Sequence, residues 1–296
     1  MTFKKTSSLI ELPTWLAIFS VYFLWWFVLN NFFIIPLSPV FLVFILTFHG
    51  SVQHELIHGH PTNSQKINDL LACPALGLWS PYSVYKNSHL AHHEDANLTI
   101  PEVDPESYFI SIEKWDTLSK LRQKFALFNM TLFGRLVLGP LWYFINLKKQ
   151  LLLSFNKPFS KDFLIWFSHE LMTIALLFIV WYIFGVHYLI YIACAYFAHS
   201  LTMLRSFYEH RPSSNPNHRS LIMKTILPLN ILFLNNNYHF VHHKNPKMSW
   251  YSIPKEYKVN FEKYNHLNGN FIEKGYFKWF KNYLFKPVTK PKHPAF

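Results

Sequence analysis

Charge is scarce in this chain. Of its 296 residues only 15% are Asp, Glu, Lys or Arg, against 19% aromatic and 51% apolar, whereas soluble domains carry about 25% charged residues. Something other than water solvates part of it. The scarcity is also local: of 28 basic and 16 acidic residues, only Glu170 falls inside the stretches 12–29, 32–48, 163–184 and 188–204. Cysteine is nearly absent too. Cys73 and Cys194 stand far apart in apolar surroundings with no CxxC, which excludes a disulfide framework, a zinc ribbon and a cysteine-ligated iron–sulfur cluster. Acidic residues are too few to balance the basic ones, and a net charge of +12 calls for an anionic neighbour, a membrane surface first and without need of nucleic acid.

The four apolar stretches have the length of membrane spans, since a helix rises about 1.5 Å per residue and the hydrocarbon layer is about 30 Å thick. They form two pairs, turning at Asn30-Asn31 and near Gly185-Val186-His187, so each pair reads as a tight helical hairpin that returns to its starting face. All Lys and Arg lie in 1–11, 49–162 or 205–296, and the rule that basic segments remain inside assigns the polar remainder and both termini to the cytoplasm. The stretch 12–29 has the length of a retained span rather than a cleaved signal.

Segment 125–147 is long enough to cross but carries Arg135 at its centre and Gly139-Pro140 beyond. A central arginine costs about 2.5–3.5 kcal/mol on insertion, which favours a place along the interface, as for 67–80 and 221–234. The expected fold is an all-α integral membrane protein of two transmembrane hairpins (four spans), with interfacial helices and a cytosolic histidine-rich helical cap. After residue 244 the chain turns basic and closes with KPVTKPKHPAF, so 261–296 reads as an extended basic tail.

Nine of the 17 histidines fall into four groups: His54 and His58 in HELIH; His89, His92 and His93 in HLAHH; His210 in RSFYEHR; and His239, His242 and His243 in HFVHH. Positions i, i+3 and i+4 share a helix face, so each multiple group presents an imidazole edge suited to metal. A random HxxHH is expected about 0.06 times in such a chain, and it occurs twice here. Imidazole alone leaves iron, copper, zinc and nickel open. Nine ligands exceed the four positions of one tetrahedral zinc and suit two metals with room for water or oxygen. One site can gather all four groups only if an even number of spans separates the second from the third, which again keeps 125–147 from crossing.

HELIH, HLAHH and NNNYHFVHH, placed about two hairpins, resemble the histidine boxes of the membrane fatty acid desaturase and hydroxylase superfamily, most of all its compact bacterial members, from about residue 10 to 260. The resemblance implies one membrane domain over 1–260 in a bacterial inner membrane and a non-haem di-iron centre held by His54, His58, His89, His92, His93, His210, His239, His242 and His243. It further implies dioxygen as oxidant, a lipid acyl chain as substrate and desaturation as the reaction. Electrons come from an external donor of ferredoxin, rubredoxin or cytochrome type, since the chain has no ferredoxin-type cysteine set. Where acyl-CoA desaturases have asparagine four residues before the third-group histidine this chain has Ser206, and its Glu209-His210 pair is closer to alkane hydroxylases. Hydroxylation of alkyl or terpenoid lipids therefore stands as the alternative.

Glu55, His60, Glu94, Asp95, Glu209, Asn235, Asn236 and Asn237 adjoin the groups and are candidate partners for the imidazole N–H or a metal-bound water. His54-Glu55-Leu-Ile-His58 is also the zinc-protease HExxH with Glu55 as general base. That reading leaves both HxxHH groups idle, and the aspartate-bearing third-ligand motif of intramembrane metalloproteases is missing, with no Asp-Gly anywhere in the chain.

Overall fold

A computed structural model describes residues 11–94 and 96–296. The chain is mostly helical. In order the elements are α1 (Leu12–Asn30), α2 (Ser38–Ile57), α3 (Gln65–Ala72), α4 (Tyr82–His92), α5 (Ile112–Thr117), α6 (Lys120–Asn129), α7 (Leu132–Ser154), α8 (Lys161–Tyr182), α9 (Tyr188–Arg205), β1 (Ile222–Lys224), α10 (Leu227–Leu232), α11 (His239–Lys244), α12 (Ile253–Val259), α13 (Phe261–Leu267), β2 (Ile272–Lys274) and α14 (Tyr276–Tyr283). Among the described residues α1, α2 and α8 are long and apolar enough to cross a membrane, and the bent pair α6–α7 is a fourth candidate. The fourth expected span, α9, falls outside that group; it carries His199 and Arg205 and packs between α2 and α7.

The first hairpin differs from the expected tight turn at Asn30-Asn31. Residues 31–37 are a turn, and α2 begins only at Ser38 and continues through His54. Proline explains the shift: Pro36 disfavours helix in the residue before it, while Pro39 is tolerated in the first turn of α2. The span and the first histidine group thus share one rigid helix. Glu170, the lone charge of the apolar stretches, pairs with Lys148 of α7.

Segment 125–147 is two helices rather than one, bent by 111° between α6 and α7. Thr131 caps α7 by accepting from the Gly134 amide at 2.9 Å. Glycine is required there, because a Cβ would stand 1.9 Å from the Phe128 carbonyl oxygen. Arg135 therefore lies in the first turn of α7, buried, with its guanidinium 4.2 Å from the centre of the Tyr108 ring. Pro140 cannot donate to the Leu136 carbonyl, and Ser200 Oγ of α9 does so instead at 2.7 Å.

The stretch 67–80, expected along the interface, is drawn into the bundle beyond α3. Tyr22 Oη donates to the Leu71 carbonyl (2.6 Å), Gln53 Nε2 to that of Ala72 (2.8 Å) and Tyr191 Oη to that of Leu76 (2.9 Å), while Trp79 Nε1 donates to Ala195 O (3.2 Å). Irregular backbone at this depth is stable only where such partners satisfy it. Segment 221–234 supplies β1 and α10.

Residues 261–296 depart from the expected extended tail. β2 pairs in parallel with β1, and α14 buries Tyr276 and Trp279 against Leu132, Leu204, Phe207 and Phe233. Proline and lysine in the last stretch correctly exclude helix, yet the apolar face of YFKWFKNY has a core to join.

Candidate metal centre

The centre forms where four element ends meet. His54 occupies the last turn of α2 and His58 caps it; His89 and His92 lie in α4 with His93 as its cap; His239, His242 and His243 lie in α11. His210 follows α9 and is fixed by a bridge to Ser220. These nine side chains gather in two sets able to hold a metal, His54, His58, His89, His93 and His242 in one and His92, His210, His239 and His243 in the other, with ligand atoms in each within 4.8 Å of one another. Each HxxHH helix divides its imidazoles: the i and i+4 rings join one set and the i+3 ring the other, α4 and α11 doing so in opposite senses.

The spacing within each set is that of ligands around a common point. His58 Nε2 to His89 Nε2 is 3.1 Å, His89 to His93 3.0 Å and His93 to His242 3.1 Å; in the second set His92 to His210 is 3.0 Å, His210 to His239 2.9 Å and His239 to His243 3.1 Å. Metal–imidazole bonds of about 2.0–2.1 Å at near-right angles put neighbouring nitrogens about 3 Å apart. The 3.0 Å between His92 and His210 puts both on one side of any membrane the chain crosses, so an even number of crossings separates them.

Carboxylates and hydroxyls orient the rings from behind. Asp104 Oδ1 lies 2.8 Å from His92 Nδ1, Glu106 Oε1 3.2 Å from His89 Nδ1, and Ser220 Oγ 3.2 Å from His210 Nδ1. Asn236 reaches both sets, its Nδ2 3.2 Å from His54 Nε2 and its Oδ1 3.0 Å from His239 Nδ1. Glu209 is held by Arg205 at 2.5 Å and stands 3.5 Å from His239 Nε2. Tyr108 Oη donates to the His210 carbonyl at 3.1 Å.

Of the residues expected from sequence to partner the imidazoles, Glu209 and Asn236 contact them. Glu55 instead accepts from the Trp250 amide at 2.9 Å, His60 pairs with Glu11 at 2.8 Å, Glu94 is exposed and bonded to Asn97, Asn235 donates to Trp250 O and Asn237 to Met223 O. Neighbours in sequence to a helical ligand point around the helix, away from it. Asp95 lies outside the described residues. Asp104, Glu106 and Ser220 escaped the sequence reading. They sit in no motif; the faint trace is that Asp104 and Glu106 occur in DPES, in the loop after a histidine box.

Burial, then the neighbouring imidazoles, holds His58, His210, His239, His242 and His243 well below the usual histidine value of 6.5 and His93 at about 3. These rings are neutral, with lone pairs ready for a cation. His92 is the exception: burial opposes its charge, but the carboxylates of Glu106 and Asp104 outweigh burial and push it to about 9. Burial likewise opposes charge on Glu106, and His92 and His89 nevertheless keep it well below the carboxylate range. Positive charge is thus stabilised at His92, while His210, His239 and His243 of the same set are held neutral.

The fatty acid desaturase family matches residues 30–274. The chain belongs to that family. No curated protein matches it. Family and histidine sets together indicate an oxidoreductase acting on lipids in a membrane. Ser206 has its hydroxyl turned to the Thr202 carbonyl, and an amide reaches the five-histidine set from Asn236. The HExxH zinc-protease reading also loses its base, because the Glu55 carboxylate is engaged by Trp250.

Proposed function

We propose that the protein is a dioxygen-dependent di-iron enzyme that introduces a double bond into lipid acyl chains, with His54, His58, His89, His92, His93, His210, His239, His242 and His243 as metal ligands. One observation carries the reading: nine mostly buried imidazoles converge in two sets at ligand spacing. Their chemistry fits iron, for which nitrogen donors and open positions are typical of oxygen-using sites. When bound, the metal pair would supply oxidation of an unactivated methylene by dioxygen.

The chain's own residues perform the rest. Asp104, Glu106, Ser220 and Asn236 fix the ring orientations, and such partners commonly tune metal affinity 10–100-fold. Burial of the imidazoles keeps bulk water from the reacting face. A chain held with hydrogens of two adjacent carbons at that face loses both; one held with a single carbon in reach gains oxygen. The sequence pair Glu209-His210, which resembles that of alkane hydroxylases, supports the second reading, hydroxylation of an alkyl or terpenoid lipid. The two hairpins and the histidine-bearing cap on the cytoplasmic face of a bacterial inner membrane belong to the same proposal, as does a small acidic electron donor of ferredoxin, rubredoxin or cytochrome type drawn to the basic surface.

Expression in a host lacking such lipids, with fatty acids profiled by mass spectrometry beside a His92→Ala control, tests it. Two hydrogens lost from a chain is the expected result, and an added oxygen selects the alternative. Identical profiles for both proteins, with electron donor supplied, remove the oxidase reading.

A further inference from the structure

Two of the carboxylates that orient the rings, one for each set, come from a segment with no regular structure. Residues 99–109 contain no regular element, and Thr99 and Glu102 sit at φ of 69° and 68°, a region that costs non-glycine residues about 1–3 kcal/mol and persists only where the surroundings over-determine it. Yet this segment delivers Asp104 to His92, Glu106 to His89 and Tyr108 to the His210 backbone.

Residues 290–296 lie against the end of this segment, joined to it by one parallel bridge between Ile110 and Lys292. Ile110 N donates to Pro291 O (2.9 Å), His293 N to Ile110 O (2.9 Å) and Ile112 N to Phe296 O (2.8 Å). His293 is 4% exposed; its Nε2 stands 3.4 Å from Thr99 Oγ1 and its ring centre 5.6 Å from that of Phe109. From there the contacts are continuous. The Thr99 amide donates to Asp104 Oδ2 at 2.9 Å, and Asp104 Oδ1 meets His92 Nδ1 at 2.8 Å while also accepting from the Glu106 amide at 2.9 Å. The strand is itself anchored, through Lys292 to Asp116 at 2.9 Å and through the Val288 amide to Met130 O at 2.9 Å.

We propose that 290–296 is a positioning strap for the metal centre, with His293 as its key: it holds 99–112 in register so that Asp104 and Glu106 orient His92 and His89. The inference rests on the metal-binding reading above. Without the strap the loop relaxes its left-handed residues, Asp104 swings from His92, and the four-histidine set weakens before the five-histidine set, which draws only on Glu106 from this loop.

The test is anaerobic titration of the full-length protein in lipid nanodiscs with ferrous iron against a competing chelator, repeated with Co(II) as an optical probe. The proteins compared are wild type, a deletion of 290–296, His293→Ala and His293→Gln, the last retaining a donor for the Thr99 hydroxyl. The expected result is wild-type binding in two equal steps, with the deletion and His293→Ala weakening one step about tenfold, the lower end of what losing an orienting partner costs. His293→Gln restores that step, and amide exchange in 99–112 rises only in the two weakened proteins. Equal affinity and an unchanged Co(II) spectrum in wild type and His293→Ala overturn the strap while the metal centre stands, and they decide the matter even if the deletion does not fold. Wild-type protein that takes up no metal removes the metal reading itself.

Discussion

Asp104 shows how much of the centre rests on single side chains outside any motif. Its two oxygens hold the His92 ring, the Thr99 amide and the Glu106 amide. Asp104→Asn preserves the shape and removes the charge, and is expected to weaken metal binding at the four-histidine set 10–100-fold, measured by metal content after dialysis against a chelator. A pH dependence follows from the same rings. His58, His210, His239, His242 and His243 titrate below 6.5 in the folded protein, and His93 at about 3, so the unfolded chain binds more protons once the pH drops under 6.5. Their contribution is complete above that value and is lost as pH falls below it, by up to about 1.4 kcal/mol per unit for each fully shifted ring. His92, raised to about 9, acts oppositely, its contribution fading as pH rises through 9, but it is outnumbered. The melting temperature of metal-free protein is therefore expected to fall between about pH 7 and pH 5; a flat profile contradicts the burial of the imidazoles.

At the scale of elements, the bend between α6 and α7 decides where Arg135 goes. A straight helix over 125–147 would carry a guanidinium to the middle of an apolar stretch; the 111° turn places it on Tyr108 beside the centre instead. The turn depends on Gly134, whose missing Cβ admits the Phe128 carbonyl. Gly134→Ala is expected to cost at least 1–3 kcal/mol, the usual penalty of forced overpacking, read as a lower unfolding midpoint in a denaturant titration. Glycine-to-alanine at Gly50, in the interior of α2 where nothing lies within 4 Å, is the control and is expected to leave the stability unchanged or to raise it by up to about 1 kcal/mol, since alanine favours helix. The apolar pattern told that 125–147 was helical but held no sign of the break, because a bend at Met130-Thr131 costs nothing in apolarity.

Over the whole molecule, the proposed metal centre is where separate parts of the chain meet: α2, α4, the turn after α9, and α11, with 290–296 in contact with the loop between α4 and α5. Ligand that binds only the folded state stabilises it by mass action, about 2.7 kcal/mol at a hundredfold excess over the dissociation constant. Removing iron is thus expected to lower the melting temperature and to raise amide exchange first in α4, α11 and 99–112, with α1 and α8 little changed. An equal rise everywhere would place the metal outside the fold's stability.

The family and the nine histidines were legible in the sequence because their signals are local. Helical period puts i, i+3 and i+4 imidazoles together whatever the tertiary structure, and the apolar runs need only length to read as membrane helices. The start of α2 was displaced by prolines whose effect depends on the turn around them. Glu55, His60 and Glu94 adjoin ligands in sequence yet bond elsewhere, whereas Asp104, Glu106 and Ser220 reach the rings through folding alone. The division into sets of five and four, the loop 73–81 drawn into the bundle and the docking of 261–296 belong to tertiary structure. Each depends on long-range contacts whose partners carry no pattern of their own along the chain.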